Sequence, residues 1–266
     1  MRVLTQNVWA RHGDWPARRD LLRAGFADLR PDLVALQETV VTEGYDQVAD
    51  LLGSGYHTVH QSRREPDGTG MSLASRWPVT RTDETDLLVS DRTDPREFVG
   101  SLLVAVVSAP PPYGTVLFAS PKPSFRLGLE AERELQAVLA ARRLGELAAD
   151  CDHVLLASDF DATPDSASMR FWAGRQSLDG LSVAHQDAWE AVHADAPGPT
   201  FTPQNALVAA SAWAHTPPRR IDYVLVGCGP RGPSLAIDSC ERVFETDVEG
   251  VWASDHFGVV ADLSPR

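Results

Sequence analysis

Ser158-Asp159-Phe160-Asp161 closes an apolar run, Val154-Leu155-Leu156-Ala157, with two carboxylates two residues apart. Such a pair repels if both acids face the same way, which makes it an odd ending for a buried strand. Similar groups recur along the chain. Asn7 ends the first apolar run and Glu38 the second, in Leu36-Gln37-Glu38. Asp222 sits in Arg220-Ile221-Asp222-Tyr223-Val224, and Asp255 and His256 stand in Ser254-Asp255-His256-Phe257-Gly258. Oxygen ligands on a rigid rim suit a hard cation such as Mg²⁺ or Mn²⁺, which takes one or two carboxylates, waters and substrate phosphate oxygens. Taken singly, each group has a plainer account. Gln37-Glu38 is a loop start, and Asp159-Phe160-Asp161 before Thr163-Pro164 is a helix cap and turn. Asp222 is harder to dismiss, because an unpaired buried carboxylate is costly and Arg219, Arg220 or a histidine must offset it. The shared position at strand ends carries the chemical reading: if the strands are neighbours, these groups meet on one rim.

The elements that must position them follow from hydrophobic spacing. Strands are expected over residues 2–8, 33–38, 56–61, 71–74, 154–157, 221–226, 240–245 and 258–263. A hairpin is expected over 101–108 and 115–119, around Pro110-Pro111-Pro112. Helices are expected over 16–29, 45–52 and 127–149. The charges of the last, Glu130, Glu132, Arg133, Glu134, Arg142 and Arg143, read as a solvated face. Residues 165–214 show few clear elements and would shape the pocket. Strands and helices alternate along one continuous length with no linker, so the expectation is a single domain over 1–266. Its class is an α/β sandwich: two mixed β-sheets face to face, with helices outside.

The chain has 266 residues, 43% of them hydrophobic, enough for a sizeable core. Lys and Arg total 24 against 37 Asp and Glu, a net charge of −13. A broad nucleic-acid binder usually carries a basic face, so duplex DNA is not the expected main partner. Cys151, Cys228 and Cys240 are odd in number and lack C-x-x-C spacing, which argues against a disulfide scaffold or structural zinc. No apolar run is long enough to span a bilayer, and the first residues turn polar too quickly for a signal peptide. A cytoplasmic monomer without membrane attachment is the expectation.

The order Gln6-Asn7, Leu36-Gln37-Glu38, Ser75-Arg76-Trp77-Pro78, Asp159-Phe160-Asp161-Ala162, Arg220-Ile221-Asp222-Tyr223 and Ser254-Asp255-His256 resembles the endonuclease/exonuclease/phosphatase superfamily over nearly the whole chain. That family includes pancreatic-DNase-like nucleases, apurinic endonucleases, sphingomyelinases and inositol-polyphosphate phosphatases. The resemblance implies the four-layer sandwich. It also implies roles: Glu38 as main metal carboxylate, with Asn7 and Asp255 nearby; His256 contacting the scissile phosphate or acting as base, oriented by Asp222; Asp159 positioning the attacking water.

Two positions depart from the family pattern. Its usual Gly-Asp-Phe-Asn reads Ser158-Asp159-Phe160-Asp161, and an ionised Asp161 cannot donate as the amide would. Beside a phosphate about 4 Å away, repulsion of order 4 kcal/mol must be offset, at an effective dielectric of about 20. Where many members carry Asn-His or Thr-His, this chain reads Ser120-Pro121-Lys122, and proline donates nothing. Lys122, Asn205 and Arg96 are the candidate substrate-side groups, with Arg63, Arg64 and Arg76 as further positive charge near the rim. Trp172, Trp189, Trp213, Trp252 and Phe201 either pack under loops or cover the substrate. The leading expectation is a Mg²⁺- or Mn²⁺-dependent phosphoesterase-like hydrolase acting on a small or single-stranded phosphodiester. The departures at Asp161 and Pro121 support an alternative, an enzyme of altered reaction class on a non-phosphate substrate. A non-catalytic binding module is the third reading.

Overall fold

The computed structural model describes residues 1–93 and 99–266. One sheet holds β1 (Arg2–Asn7), β2 (Leu33–Thr42), β3 (Tyr45–Asp46), β4 (His57–His60), β5 (Thr69–Ser75), β13 (Leu235–Val243) and β14 (Gly258–Pro265). Its order is β13-β14-β1-β2-β5-β4, with β3 beside β2. The other holds β6 (Val79–Asp86), β7 (Ser101–Ser108), β8 (Thr115–Pro121), β9 (His153–Asp159), β10 (His185–Asp187), β11 (Asp222–Gly229) and β12 (Gly232–Pro233), ordered β10-β11-β9-β8-β7-β6, with β12 beside β11. Helices α1 (Trp15–Leu29), α2 (Gln47–Leu52), α3 (Glu130–Leu147), α4 (Ala167–Trp172), α5 (Ala188–Val192) and α6 (Ala206–Ala209) complete the fold.

Successive strand side chains point to opposite faces, and both faces of the central strands are buried. Val3, Leu33, Leu73, Leu103, Phe118, Leu155, Val224 and Val259 meet between the sheets. Their neighbours Leu4, Val34, Leu36 and Val260 turn outward onto Leu22 and Phe26 of α1 and Val48 and Leu51 of α2. On the far side Leu102, Leu117, Leu156 and Leu225 pack under Ala137, Ala141 and Leu144 of α3. The result is the expected α/β/β/α sandwich. Continuous apolar runs, rather than alternating ones, are what such doubly covered strands require. Helix α1 starts where Asp14 accepts from the Ala17 amide, with Pro16 in the first turn.

One strand lies where none is expected, and two local expectations change. Val79–Asp86 is a strand although its sequence is VTRTDETD, because it pairs with β7 at the sheet edge and keeps its polar side chains wet. The helix expected over 45–52 is split: Tyr45–Asp46 pairs with β2, and the Asp46 carboxylate then caps α2 through the Val48 and Ala49 amides. On α3, Glu132 and Arg133 are buried rather than solvated. Arg133 donates to the carbonyls of Ser124, Arg126 and Leu127 and so anchors the loop between β8 and α3. Among the described residues, no helix is long and apolar enough to cross a membrane.

Candidate active site

Parallel pairing of β1 with β2 sets Asn7 opposite Gln37, so Glu38 emerges beside the end of β1. Glu38 lies where the β2–β5 register shifts, between Leu36 and Thr39, and its φ is 57°. This bulge breaks the alternation of the strand at that residue. Glu38 lines a cavity of about 400 Å³. Buried Asn7 lies at its base: its Nδ2 donates to Glu38 Oε1 at 2.9 Å and to Asp159 Oδ2 at 3.2 Å, while its Oδ1 accepts from the Trp9 amide. One side chain thereby ties the rims of both sheets.

In the second sheet, β11 runs antiparallel to β9 with Asp222 opposite Asp159. Asp222 therefore begins its strand rather than ending it, and the antiparallel register brings it to the rim. Likewise Asp255 and His256 precede β14, which is antiparallel to β1 and so starts near Asn7. Asp222 Oδ2 accepts from His256 Nδ1 at 3.0 Å, and both side chains are buried. His256 is the partner that a buried Asp222 requires. Arg220 is engaged instead with Asp187, and Arg219 donates to the Asp161 carbonyl at 2.7 Å. Phe201 lies against the imidazole, ring centroids 4.9 Å apart. Ser254 ties the His256 loop to β1 by donating to the Asn7 carbonyl at 2.7 Å.

Lys122 follows β8 and reaches across to β9. Its Nζ lies 2.6 Å from Asp159 Oδ2 and also pairs with Asp161 Oδ2. Burial disfavours charge on Asp159, but Lys122 and then His256 outweigh it and pull the carboxyl down to about 2. Asp161 moves the other way, to about 6, because burial and the Asp159 charge exceed the help from Lys122. Asp255 is likewise pushed up to about 6 by burial, with Glu38 adding to the rise. Burial works against a charged His256, yet Asp222, Asp159 and Asp255 together raise it well above the ordinary imidazole value.

Most of the expected groups converge. Glu38, Asp159, Asp161, Asp255, His256 and Lys122 line the cavity, and Asn7 and Asp222 hydrogen-bond to that set from below. Asn205 does not face it. Its side chain is fully buried, accepting from the Leu207 amide and donating to the Ser254 carbonyl at 2.8 Å. It caps α6 and braces the His256 loop instead of meeting substrate. Arg96 lies outside the described residues. Arg64 is spent on the carbonyls of Thr39, Gly68 and Met71, Arg63 pairs with Asp86, and Arg76 lies over Tyr56, so none lines the cavity. Trp213 and Phe201 do line it, while Trp172 and Trp189 are packed in the interior. Trp9, His12, Glu65, Asp67 and Phe125 were not anticipated. Trp9 stands two residues after the strand-end Asn7, and Glu65 and Asp67 have the same two-residue spacing as Asp159 and Asp161, so those signals are present in the sequence; His12 and Phe125 carry neither.

Glu38 and Asp255 both line the cavity, and the Glu38 charge adds to the rise of Asp255, a situation a divalent cation relieves. Ligand atoms of Asp159, Asp222 and His256 also lie within 4.8 Å of one another. There, however, Asp222 is engaged with His256 and Asp159 with Lys122. The donor set fits a hard cation better at the Glu38–Asp255 corner.

No curated protein matches the chain. Among solved structures it is similar to Danio rerio TDP2 complexed with single-strand DNA product, at 16% identity and TM-score 0.73, covering 98% of this chain and 97% of that one. It is also similar to the human Nocturnin catalytic domain with bound sulfate, at 18% identity and TM-score 0.74, covering 100% and 94%. An endonuclease/exonuclease/phosphatase from Bacteroides vulgatus is similar at 18% identity and TM-score 0.74, covering 100% and 98%. These likenesses show the shared fold. The profile of the Endonuclease/Exonuclease/phosphatase family matches residues 4–256, nearly the whole length, and the chain belongs to that family.

Proposed function

We propose that the protein is a Mg²⁺- or Mn²⁺-dependent phosphodiesterase acting on a small or single-stranded phosphodiester. The observation that carries this reading is the buried Asp222–His256 pair set beside Asp159 and Glu38 on one cavity. Asp222 fixes the His256 ring through Nδ1 and favours its cation, which leaves Nε2–H to donate to a phosphoryl oxygen. Asp159, held ionised and weakly basic, accepts a hydrogen bond from the attacking water and orients it. A divalent cation held by Glu38 and Asp255 would supply Lewis-acid polarisation of the phosphoryl group. Asn7 keeps the Glu38 and Asp159 carboxylates in register. Binding of single-strand DNA product by the Danio rerio TDP2 and of sulfate by Nocturnin supports a phosphoester substrate for this fold.

The reading of an altered reaction class rests on two departures, the charge at Asp161 and the loss of a histidine donor at Pro121; the structure bears on the first. Lys122 offsets that charge, which favours phosphodiester chemistry. Long duplex DNA is a poor fit: the cavity carries the acids Glu38, Glu65, Asp67 and Asp255 on its walls, and the net charge is −13. The test is hydrolysis of bis-p-nitrophenyl phosphate and of a nucleotide panel with Mg²⁺ or Mn²⁺. Turnover that disappears with chelator is expected; a folded protein inert on every member of the panel defeats the proposal.

A further inference from the structure

Asp161 is one departure from the family pattern and Lys122 directly follows the other, Pro121; Asp161 and Lys122 touch in the structure. Pro121 and Pro123 flank Lys122, so both neighbouring φ angles are restricted and Lys122 itself is confined to extended backbone. Its amide donates to the Ser101 carbonyl at 3.0 Å. The ammonium thus hangs from a stiff stretch of chain, 15% exposed, between Asp159 and Asp161. Asp161 is pinned as firmly. Its amide donates to Asp159 Oδ1 at 3.0 Å and its carbonyl accepts from Arg219 Nη2 at 2.7 Å. Two carboxylates with one ammonium carry the net charge that a single aspartate beside a neutral amide would carry. An ammonium has three N–H donors. Two meet the carboxylates, which leaves one for the cavity that Lys122 lines.

We propose that Lys122 and Asp161 act as one unit, in which Asp161 holds the Lys122 ammonium to bind a non-bridging oxygen of the substrate phosphoryl group. Lys122 is the substrate-binding member and Asp161 the positioning one. The substrate class rests on the phosphodiesterase reading; the pairing rests on geometry alone. In a family site an amide donor and a histidine would meet the phosphate. In this chain their joint replacement keeps a donor and the charge balance but moves both to the lysine.

The experiment is a double-mutant cycle on Lys122→Met and Asp161→Asn, with two readouts besides thermal stability. Inorganic phosphate affinity is measured calorimetrically with Mg²⁺ present, and kcat and KM are measured on bis-p-nitrophenyl phosphate. Lys122→Met is expected to weaken phosphate at least about 10-fold, as loss of a charge-assisted hydrogen bond implies. Asp161→Asn should weaken it about 3- to 10-fold, and the double variant no more than Lys122→Met alone. Losses that multiply, or an unchanged affinity in Lys122→Met, overturn the unit, as does a wild type that binds no phosphate. If Lys122→Met does not fold, Asp161→Asn decides: unchanged affinity overturns the proposal, and a loss at constant melting temperature upholds it. A wild type that binds phosphate in this pattern but hydrolyses nothing retains the unit and removes the phosphodiesterase reading. Turnover with an additive cycle does the reverse.

Discussion

Glu38 and Asp161 both hold left-handed backbone, with φ of 57° and 51°, a conformation that costs a non-glycine residue about 1–2 kcal/mol. Both face the cavity, and both are over-determined by contacts: Glu38 by Asn7, Asp161 by Asp159, Lys122 and Arg219. Strain gathered at a site and held by its surroundings is the pattern expected of a functional rim. At the same scale, the Asp222 carboxylate meets His256 through Oδ2, while its amide donates to Thr200 Oγ1 at 3.2 Å. Asp222→Asn keeps the shape but removes the charge that favours the imidazolium. The expected result is a kcat lower by about 10²–10⁴-fold, with KM changed far less, because a positioned proton donor acts mainly in the transition state. Steady-state kinetics on the panel substrate that hydrolyses best checks this. A KM effect alone would assign Asp222 to ground-state binding.

At the scale of elements, register decides what the rim contains. Asp159 and Asp222 are opposite partners of β9 and β11, and Asn7 and Gln37 of β1 and β2. The start of β14 is held close to β1 at Gly258. A Cβ there would run into Gln6 Oε1, lie 2.9 Å from Val243 Cγ2 and 3.2 Å from the Thr5 carbonyl. Gly258→Ala should therefore cost about 1–3 kcal/mol through overpacking and reduce activity by moving His256, two residues away. Denaturant unfolding and kcat/KM measure the two effects. A second element-scale effect sits in β10, where His185 Nδ1 bonds the Trp172 carbonyl. Burial depresses its pKa to about 4, against which that bond works weakly. The unfolded state binds this proton near pH 6.5 and the folded state only near 4. Stability from neutral His185 is thus complete above pH 6.5 and is lost as pH falls toward 4. His185→Gln should flatten the decline in unfolding free energy between pH 7 and 4, by on the order of 1–3 kcal/mol, as denaturant unfolding at each pH would read. An unchanged slope refutes the assignment.

Across the whole molecule, the rim is shared between two sheets that meet through Val3, Phe118, Leu155 and Val224. Any shift of one sheet against the other would pull Asn7 from Asp159. Leu155 is fully buried in that layer, so Leu155→Ala is expected to cost about 2–5 kcal/mol. On the proposed function, loss of hydrolytic activity should precede global unfolding on heating. Calorimetry alongside residual activity would show this; coincident transitions would mean that the sheets separate only when the protein unfolds.

The layer architecture is legible in the amino-acid sequence, because long apolar runs between polar turns leave few ways to bury both faces of each strand. Asn7, Glu38, Asp159, Asp222, Asp255 and His256, singled out in the sequence, come together in the structure, whereas Glu65 and Asp67, which line the same cavity, were not singled out. Polar β6 was not legible, because an edge strand needs hydrogen bonds from its neighbour and little hydrophobic patterning. Neither was the buried task of Asn205, whose partners lie at Leu207 and in the Ser254 loop. That Lys122 stands against Asp161, 39 residues away, and so offsets the charge that made Asp161 anomalous, emerges from the tertiary fold. The pair forms because β8 and β9 run parallel and end together, and parallel register between distant segments leaves no mark in local spacing.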